Sequence, residues 1–192
     1  MHPFRTYIAQ YTTISDQEWE QIANVLTKKS YPKGVTLLKT GEVCKKLYFV
    51  EHGLLRFYLL KNGVDVTKFF TVAPYCFTSQ RSFTDAVPGK DTIETLEHSK
   101  IWEMSKTDAF GLLELPAWSE FVRKLIQEVQ FNTESILESI QNETAEERYQ
   151  KMLEQHDPIL SRVSSRHIAS FLGIQPQSLS RIRKKIRFQH RS

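Results

Sequence analysis

The fold is decided by the stretch SRHIASFLGIQPQSLSRIRK at residues 165–184. Ser164 or Ser165 can cap a first helix, and Gly173 can end that helix in the left-handed backbone that suits a helix C-terminus. Pro176 fits the first turn of a second helix, where its missing N–H leaves no hydrogen bond unmade. This pattern predicts a helix-turn-helix. Small and apolar residues at helical spacing are expected to hold the two helices together: Ile168, Ala169, Leu172, Ile174, Leu179 and Ile182.

The polar residues of the second helix make this prediction specific, because the apolar pattern alone would fit any helical hairpin. Gln177, Ser178 and Arg181 share a face near the N-terminal half of the helix, where a helix in a major groove meets base edges. Arginine can donate two hydrogen bonds to guanine, and glutamine can bond adenine in the same way. Arg166 in the first helix is a further expected DNA contact. The basic residues that follow are suited to phosphates: Arg183, Lys184, Lys185 and Arg187.

The charge of the chain is unevenly divided. Residues 161–192 carry eight Lys or Arg side chains and no Asp or Glu, whereas the other 160 residues carry 18 basic and 22 acidic side chains. A basic block on an acidic body indicates a polyanion partner that is reached through the C-terminal region. A solvated basic tail, or a helical hairpin that is basic only incidentally, is the alternative.

Residues 34–105 are patterned as short strands. Segments 54–60 and 64–72 flank Asn62-Gly63, which is a strong hairpin signal because both residues tolerate positive φ. Further strand-like segments occur at 34–38, 46–50, 92–96 and 100–104. Many short strands with regular turns predict an antiparallel sandwich or barrel of the jelly-roll kind. Before them, residues 15–18 have a capping-box pattern that predicts a helix start.

A long helix is predicted after Pro116, because apolar residues recur every three or four positions to about residue 141. At about 1.5 Å per residue this helix is near 37 Å long, and its apolar stripe resembles a seam against a second copy. The alternative is a helix that lies along the β domain of its own chain. A further amphipathic helix at 143–155 would end at 156–158. The seam residues are Trp118, Val122, Leu125, Val129, Ile136 and Ile140.

A β-roll, a long connecting helix and a helix-turn-helix together resemble the catabolite-activator (Crp/Fnr) family of bacterial transcription regulators. The resemblance covers nearly the whole chain and is strongest at 168–174 and 178–185, with 49–56 similar to the family's glycine turn between roll strands. It implies an α+β fold with an N-terminal antiparallel, jelly-roll-like β-roll sensor at 1–115, a dimerisation helix at 116–142 and a helix-turn-helix DNA-binding domain at 143–192. A homodimer would present two recognition helices to a palindromic double-stranded operator.

The resemblance is poorest where family members that bind cyclic nucleotides hold the phosphate. Those members have a Gly-Glu pair before a short helix and an Arg-Ser pair after it. Residues 75–83 have no Gly-Glu pair, Arg81-Ser82 lies on the wrong side of the turn, and the arginine position falls around Lys90-Asp91. We therefore expect that the roll does not bind cyclic AMP. An unidentified small-molecule effector and RNA polymerase stay open as further partners.

An enzyme is not expected from these residues. Metal-dependent cupins use a similar roll with two or three histidines and a carboxylate, but His52 and His98 lie 46 residues apart without a His-x-His pair. Cys76 lies in an apolar setting that suits a small packed hydrophobe. Cys44 precedes two lysines and could have a redox role if it is exposed. We predict no catalytic residue, metal or cofactor.

The expected compartment is the cytoplasm. No apolar run approaches the roughly 20 residues that cross a bilayer, and the two cysteines cannot build a disulfide framework. The predicted function is therefore that of a sequence-specific DNA-binding transcription regulator. The alternative is a β-roll protein that binds a small molecule or partner and whose basic C-terminus contacts RNA or protein.

Overall fold

The computed structural model describes residues 1–155, 157 and 159–189, and of Gln189 only the backbone. Two short helices, α1 (Pro3–Ile8) and α2 (Asp16–Asn24), come first. The capping box at the start of α2 is confirmed, because the Glu18 amide donates to the Ser15 Oγ and the Ser15 amide donates to the Glu18 carboxylate. The predicted helix end at 156–158 lies mostly outside the described residues, since His156 and Pro158 are not among them.

The strands form the predicted antiparallel roll as two four-stranded sheets, with the orders β1-β8-β3-β6 and β2-β7-β4-β5. Helix α3 (Gln80–Asp85) connects β6 to β7. The described strands are β1 (Thr27–Tyr31), β2 (Thr36–Leu38), β3 (Lys46–His52), β4 (Leu54–Lys61), β5 (Val64–Val72), β6 (Tyr75–Phe77), β7 (Thr92–Thr95) and β8 (Ser99–Ser105).

The turns that join neighbouring strands have the backbone that their residues favour. Asn62 and Gly63 have φ angles of 52° and 77°, so the β4–β5 hairpin has the predicted turn with positive φ at both positions. Gly53 joins β3 to β4 at a φ of 127°, and a Cβ there would lie 2.2 Å from the Ser99 Oγ. Only glycine fits that close approach of two chain segments.

The main hydrophobic core fills the space between the sheets and extends onto the helices. Phe49 of β3 and Phe57 of β4 are buried in it. Phe4 of α1 stacks on Phe49 with ring centroids 4.6 Å apart, and it meets Trp118 edge to face. The N-terminal helix and the long helix are therefore anchored to the roll by aromatic packing.

The long helix α5 (Pro116–Asn142) follows α4 (Lys106–Gly111) and a short 3₁₀ turn, and its two halves have different environments. In the first half Trp118 and Leu125 are 1% and 9% exposed, and Val122 packs against the same core. In the second half Ile136 and Ile140 are exposed, Ile140 by 55%.

This division corrects the seam prediction for Trp118, Val122 and Leu125. The apolar stripe there packs inside its own chain, as the alternative interpretation has it, because it joins the core that contains Phe4 of α1 and Phe49 of the roll. The Trp118 indole N–H also donates to the Ala109 carbonyl at 2.9 Å, inside the chain. A seam with a second copy stays a prediction only for Val129, Ile136 and Ile140.

Candidate nucleic-acid interface

The C-terminal helices are α6 (Ala145–Glu154), α7 (Ile159–Arg162), α8 (Ser165–Leu172) and α9 (Pro176–Gln189). Ser164 caps α8, since its Oγ accepts a hydrogen bond from the His167 amide at 3.3 Å. Gly173 ends α8 with a φ of 72°, and Pro176 is the first residue of α9. The two helices and the turn between them therefore lie where the sequence predicts them.

A second hydrophobic cluster fixes α9 in place. Leu179 of α9 is buried against Ile168, Ala169 and Leu172 of α8, and Tyr149 of α6 closes the cluster. The Arg148 guanidinium of α6 donates to the Leu172 carbonyl at 2.7 Å, which satisfies one of the carbonyls left without a partner at the end of α8. Helix α9 is thus packed against both α6 and α8, and this packing fixes the position of its outward side chains.

The outward face of α9 carries polar and basic side chains. Gln177, Ser180, Arg181, Lys184 and Arg187 are all exposed. None of the three cations makes a hydrogen bond or ion pair with any residue that the structure describes. Ser180 was not among the predicted site residues, although its helical spacing from Gln177 and Lys184 places it on this face. We call these five residues the outward face of α9.

The other predicted DNA contacts are placed differently. Ser178 is half-buried, and its amide donates to the Gln175 carbonyl at the start of α9. Lys185 pairs with Glu146 of α6 at 2.7 Å, and Arg166 pairs with Asp65 of β5 at 3.3 Å. Exposed ion pairs of this kind are weak, so these two cations can exchange their partners.

Arg183 requires a correction, because its donors are used within the chain. Its Nε donates to the Tyr149 hydroxyl at 3.0 Å, and its Nη1 donates to the Ser165 Oγ at 2.6 Å. The guanidinium also lies over the Tyr149 ring. Arg183 thereby ties α9 to both α6 and α8 instead of facing outward to phosphates.

Helix α8 docks on the outer face of the roll at strand β5. The Thr67 amide donates to the Ser170 Oγ at 2.9 Å, and the Ser170 hydroxyl donates to the Asp65 carbonyl at 3.2 Å. The rings of Phe70 and Phe171 lie 5.5 Å apart. We call this the β5–α8 contact. It covers the edge of a sheet, since β5 is an edge strand.

Arginines and carboxylates are matched at the β5–α8 contact. Arg56 is buried and pairs with both Asp65 at 2.6 Å and Glu94 at 2.7 Å. Burial opposes ionisation of Asp65, but the hydrogen bond and charge of Arg56 and the charge of Arg166 outweigh it, so the pKa of Asp65 is lowered. Arg162 of α7 forms a two-bond pair with Glu97 of the roll next to this contact.

At the turn where the resemblance locates a phosphate site, the charged groups have other partners or face solvent. The Asp91 carboxylate accepts hydrogen bonds from Lys68 at 2.8 Å and from Ser79 at 3.4 Å. The Arg81 side chain is 83% exposed and has Asp85 3.8 Å away. Lys90 is exposed as well.

The remaining candidate residues form no chemical site in the part of the chain that the structure describes. No group of three or more His, Cys, Asp or Glu there could hold a metal ion. His52 and His98 are both exposed, and His98 hydrogen-bonds Ser30. Cys44 is buried, so the exposure on which a redox role would depend is not found, and burial raises the pKa of Cys76. None of the described helices has the length and apolar character needed to cross a bilayer.

Comparison with known proteins agrees with this architecture. Residues 28–115 match the family of cyclic nucleotide-binding domains. The fold is similar to that of FixK2 from Bradyrhizobium japonicum, with 20% identity, a TM-score of 0.71 and 86% of each chain covered. It is also similar to a protein from Eubacterium rectale assigned to the crp/fnr family of transcriptional regulators, with 17% identity, a TM-score of 0.73 and coverage of 92% of this chain and 85% of that one.

A third similar structure is the catabolite activator protein of Thermus thermophilus, with 16% identity, a TM-score of 0.58 and coverage of 94% of this chain and 87% of that one. No curated protein sequence is significantly similar to the chain. The resemblance to the Crp/Fnr regulators is confirmed at the level of the fold, which they share with this chain over nearly its full length.

Proposed function

We propose that the protein is a transcription regulator that binds double-stranded DNA in a sequence-specific manner as a homodimer. The observation that carries this proposal is the outward face of α9. Three cations there lack partners among the described residues, on a helix that is held rigidly by a buried cluster. Cations without intramolecular partners are free to displace the counterions of a polyanion, and this release drives binding to DNA.

The arrangement of side chains along α9 suits a duplex. Helix α9 has 14 residues and is about 21 Å long, and an α-helix with its side chains is about 10–12 Å in diameter, which fits a major groove about 12 Å wide. Arg181 and Gln177 near the N-terminal half would read guanine and adenine edges. Lys184 and Arg187, further along, would bind phosphates. Arg183 would support the helix from behind through Tyr149 and Ser165.

A second copy would pack along the exposed half of α5. Ile136 and Ile140 are exposed beyond the part of the helix that contacts the roll, and the half-buried Val129 lies at the boundary between the two parts. Two recognition helices held about 34 Å apart would meet successive half-sites on one side of a duplex. The segments 1–115, 116–142 and 143–192 would then act as sensor, dimerisation helix and DNA-binding domain, with the sensor not binding cyclic AMP.

Selection of bound fragments from a pool of random duplexes tests sequence-specific binding. We expect an enriched motif with two-fold symmetry and half-sites about 10 base pairs apart. Arg181→Ala should lose the preference at one base pair of each half-site. The control Arg81→Ala removes another exposed arginine, from α3, and should select the wild-type motif. A pool without an enriched motif, or equal competition by RNA of the same length, would contradict the proposal.

Sedimentation of the Ile140→Asp variant tests the dimer separately. The substitution places a charge in the apolar stripe, and burying an unpaired charge is very costly. Because Ile140 is exposed within one chain, the fold of the protomer should persist. We expect a monomer whose affinity for the selected motif is lost, whereas a dimer of unchanged stability would show that the seam lies elsewhere.

A further inference from the structure

An apolar cavity of about 350 Å³ lies between the roll, helices α3 and α4, and the first half of α5. Phe57, Phe77 and Phe83 form its wall on the side of the roll and α3. Phe121, Leu125 and Val129 form its wall on the side of the long helix. Among the residues that the structure describes, every side chain that lines the cavity is uncharged.

The volume of the cavity suits a small organic molecule. Ligand pockets in proteins have volumes of about 300–1,000 Å³, and their walls are mostly apolar with a few polar groups. An apolar cavity of about 150 Å³ is dry and binds benzene. The present cavity is more than twice that size, so a molecule of one or two aromatic rings would fill it.

The strand geometry keeps charge away from this space. Successive side chains of a strand point to opposite faces of the sheet. Phe57 lines the cavity, whereas its neighbour Arg56 lies on the outer face in contact with Asp65 and Glu94. An anion in the cavity would lose its hydration without gaining a cation, and this is strongly unfavourable.

Four uncharged polar side chains line the cavity and can contact a ligand: Tyr75, Thr78, Gln80 and Thr84. Tyr75 lines the cavity, and its hydroxyl has no hydrogen-bond partner among the described residues. Burial and the nearby charge of Glu128 raise the pKa of Tyr75, so the hydroxyl is neutral. We propose that the cavity is a binding site for a small, uncharged and predominantly apolar molecule of about one or two aromatic rings. This site does not depend on DNA binding, which is measured by a separate experiment.

Two fluorescent dyes that differ by a single charged group test the proposal on the full chain. N-phenylnaphthylamine is uncharged, and anilinonaphthalene sulfonate has the same rings with an added sulfonate. We expect the uncharged dye to bind at least about tenfold more tightly, because the sulfonate would be buried without a cation. Equal affinities for the two dyes would overturn the proposal.

Substitutions locate the bound dye. Val122→Phe fills part of the cavity, so it should weaken binding of N-phenylnaphthylamine by at least about tenfold while thermal unfolding shows an intact fold. Phe131→Ser is the control, because Phe131 is a 66% exposed ring on the same helix that does not line the cavity. Loss of binding in Phe131→Ser but not in Val122→Phe would place the dye on the helix surface and overturn the proposal.

Ile126→Lys gives a measurement that does not disturb the core. Ile126 lines the cavity and is 46% exposed, so a lysine there can reach water and fold normally. The new cation should tighten binding of anilinonaphthalene sulfonate by several fold and leave the uncharged dye little affected. If the Val122→Phe variant fails to fold, the dye affinities of the Ile126→Lys variant test the proposal instead. An unchanged affinity for anilinonaphthalene sulfonate would contradict binding in the cavity.

Discussion

Arginines lie at two faces of the helix-turn-helix, one against the roll and one outward, and they differ in what surrounds them. At the β5–α8 contact Arg56 has Asp65 and Glu94 as partners, and Arg166 shares Asp65. On the outward face of α9, Arg181, Lys184 and Arg187 have no partner among the described residues. At the β5–α8 contact arginine therefore joins two parts of the chain. On the outward face of α9 its positive charge is available to bind an external polyanion.

The comparison indicates that cations with nearby carboxylates, and cations without them, serve different purposes. A buried arginine between two carboxylates is held by its partners, because removing any one of them leaves uncompensated charge. An exposed arginine without partners contributes little to folding, and its charge stays available for phosphates and bases. Net charge of a segment does not distinguish these situations, whereas the positions of the carboxylates do.

The largest expected effect is on the stability of the fold, at the β5–α8 contact. Arg56→Ala leaves the half-buried carboxylates of Asp65 and Glu94 without their buried cation, so it should lower the free energy of unfolding by about 3 kcal/mol, the lower end of the range for a buried ion pair. Denaturant unfolding measures this change. Arg81→Ala, at an exposed arginine of the roll, should change stability by less than about 0.5 kcal/mol. Equal stabilities of the two variants would show that the ion pairs of Arg56 do not stabilise the fold, and would contradict the difference between the two faces.

On the outward face the effect should move from stability to binding. Arg181→Ala should weaken binding to the selected motif by about 1–3 kcal/mol, because bidentate contacts to a base are lost. Its free energy of unfolding should stay within about 0.5 kcal/mol of wild type. Arg183→Ala is the contrasting variant, since loss of its bonds to Tyr149 and Ser165 should lower stability instead. If Arg181→Ala lowered stability and Arg183→Ala weakened DNA binding instead, the roles assigned to the two arginines would be wrong.

Asp65 provides a prediction about pH. Its pKa is lowered in the folded protein, so its ionised form stabilises the fold above the ordinary carboxyl pKa of about 4, and this stabilisation is lost as pH falls through the folded pKa. Asp65→Asn should therefore cost about 1 kcal/mol at neutral pH, which is the net contribution of a typical intramolecular hydrogen bond. The stabilities of the two proteins, measured by thermal unfolding, should converge as the pH falls through the lowered pKa of folded Asp65. A constant difference down to pH 2 would contradict this role of the carboxylate.

The smallest effect is expected at a single phosphate contact. Lys184→Ala should weaken binding to all duplexes alike and reduce the slope of log affinity against log salt by about 0.9 for each phosphate released. Titrations between about 50 and 200 mM salt measure this slope. Lys185→Ala, which removes the partner of Glu146, should change the slope less. A Lys184→Ala variant that loses affinity only on the selected motif would assign that lysine to a base.

Local signals explain which parts of the fold could be predicted. The β4–β5 hairpin, the capping box of α2 and the turn at Gly173 each depend on residues that are close in sequence. Strand β1 was not predicted because it reads Thr-Lys-Lys-Ser-Tyr and has no alternating apolar face. Its partner strand β8 lies about 70 residues further along the chain, so the pairing gives no local signal in the sequence of β1.

The same limit applies to the site. A stripe of apolar residues at helical spacing is identical whether its partner is the chain's own roll, as for Trp118, or something outside the chain, as proposed for Ile140. Arg183 and Arg181 are likewise both expected from the sequence to contact DNA. Their difference depends on Tyr149, which lies 34 residues away and approaches Arg183 only once α6, α8 and α9 are packed. The positions of partners that are distant in sequence decide what each residue does.

The hydrogen bond from Thr67 to Ser170 makes one backbone amide a reporter of domain separation. Because β5 is an edge strand, this N–H points away from β4 and is shielded from solvent by the Ser170 hydroxyl. If α8 moves away from the roll, the amide loses its acceptor and becomes open to deuterium uptake while its neighbours in the β4–β5 hairpin stay protected. The rate of isotope exchange at Thr67 thus follows the opening of the two parts of the chain, separately from unfolding of either one.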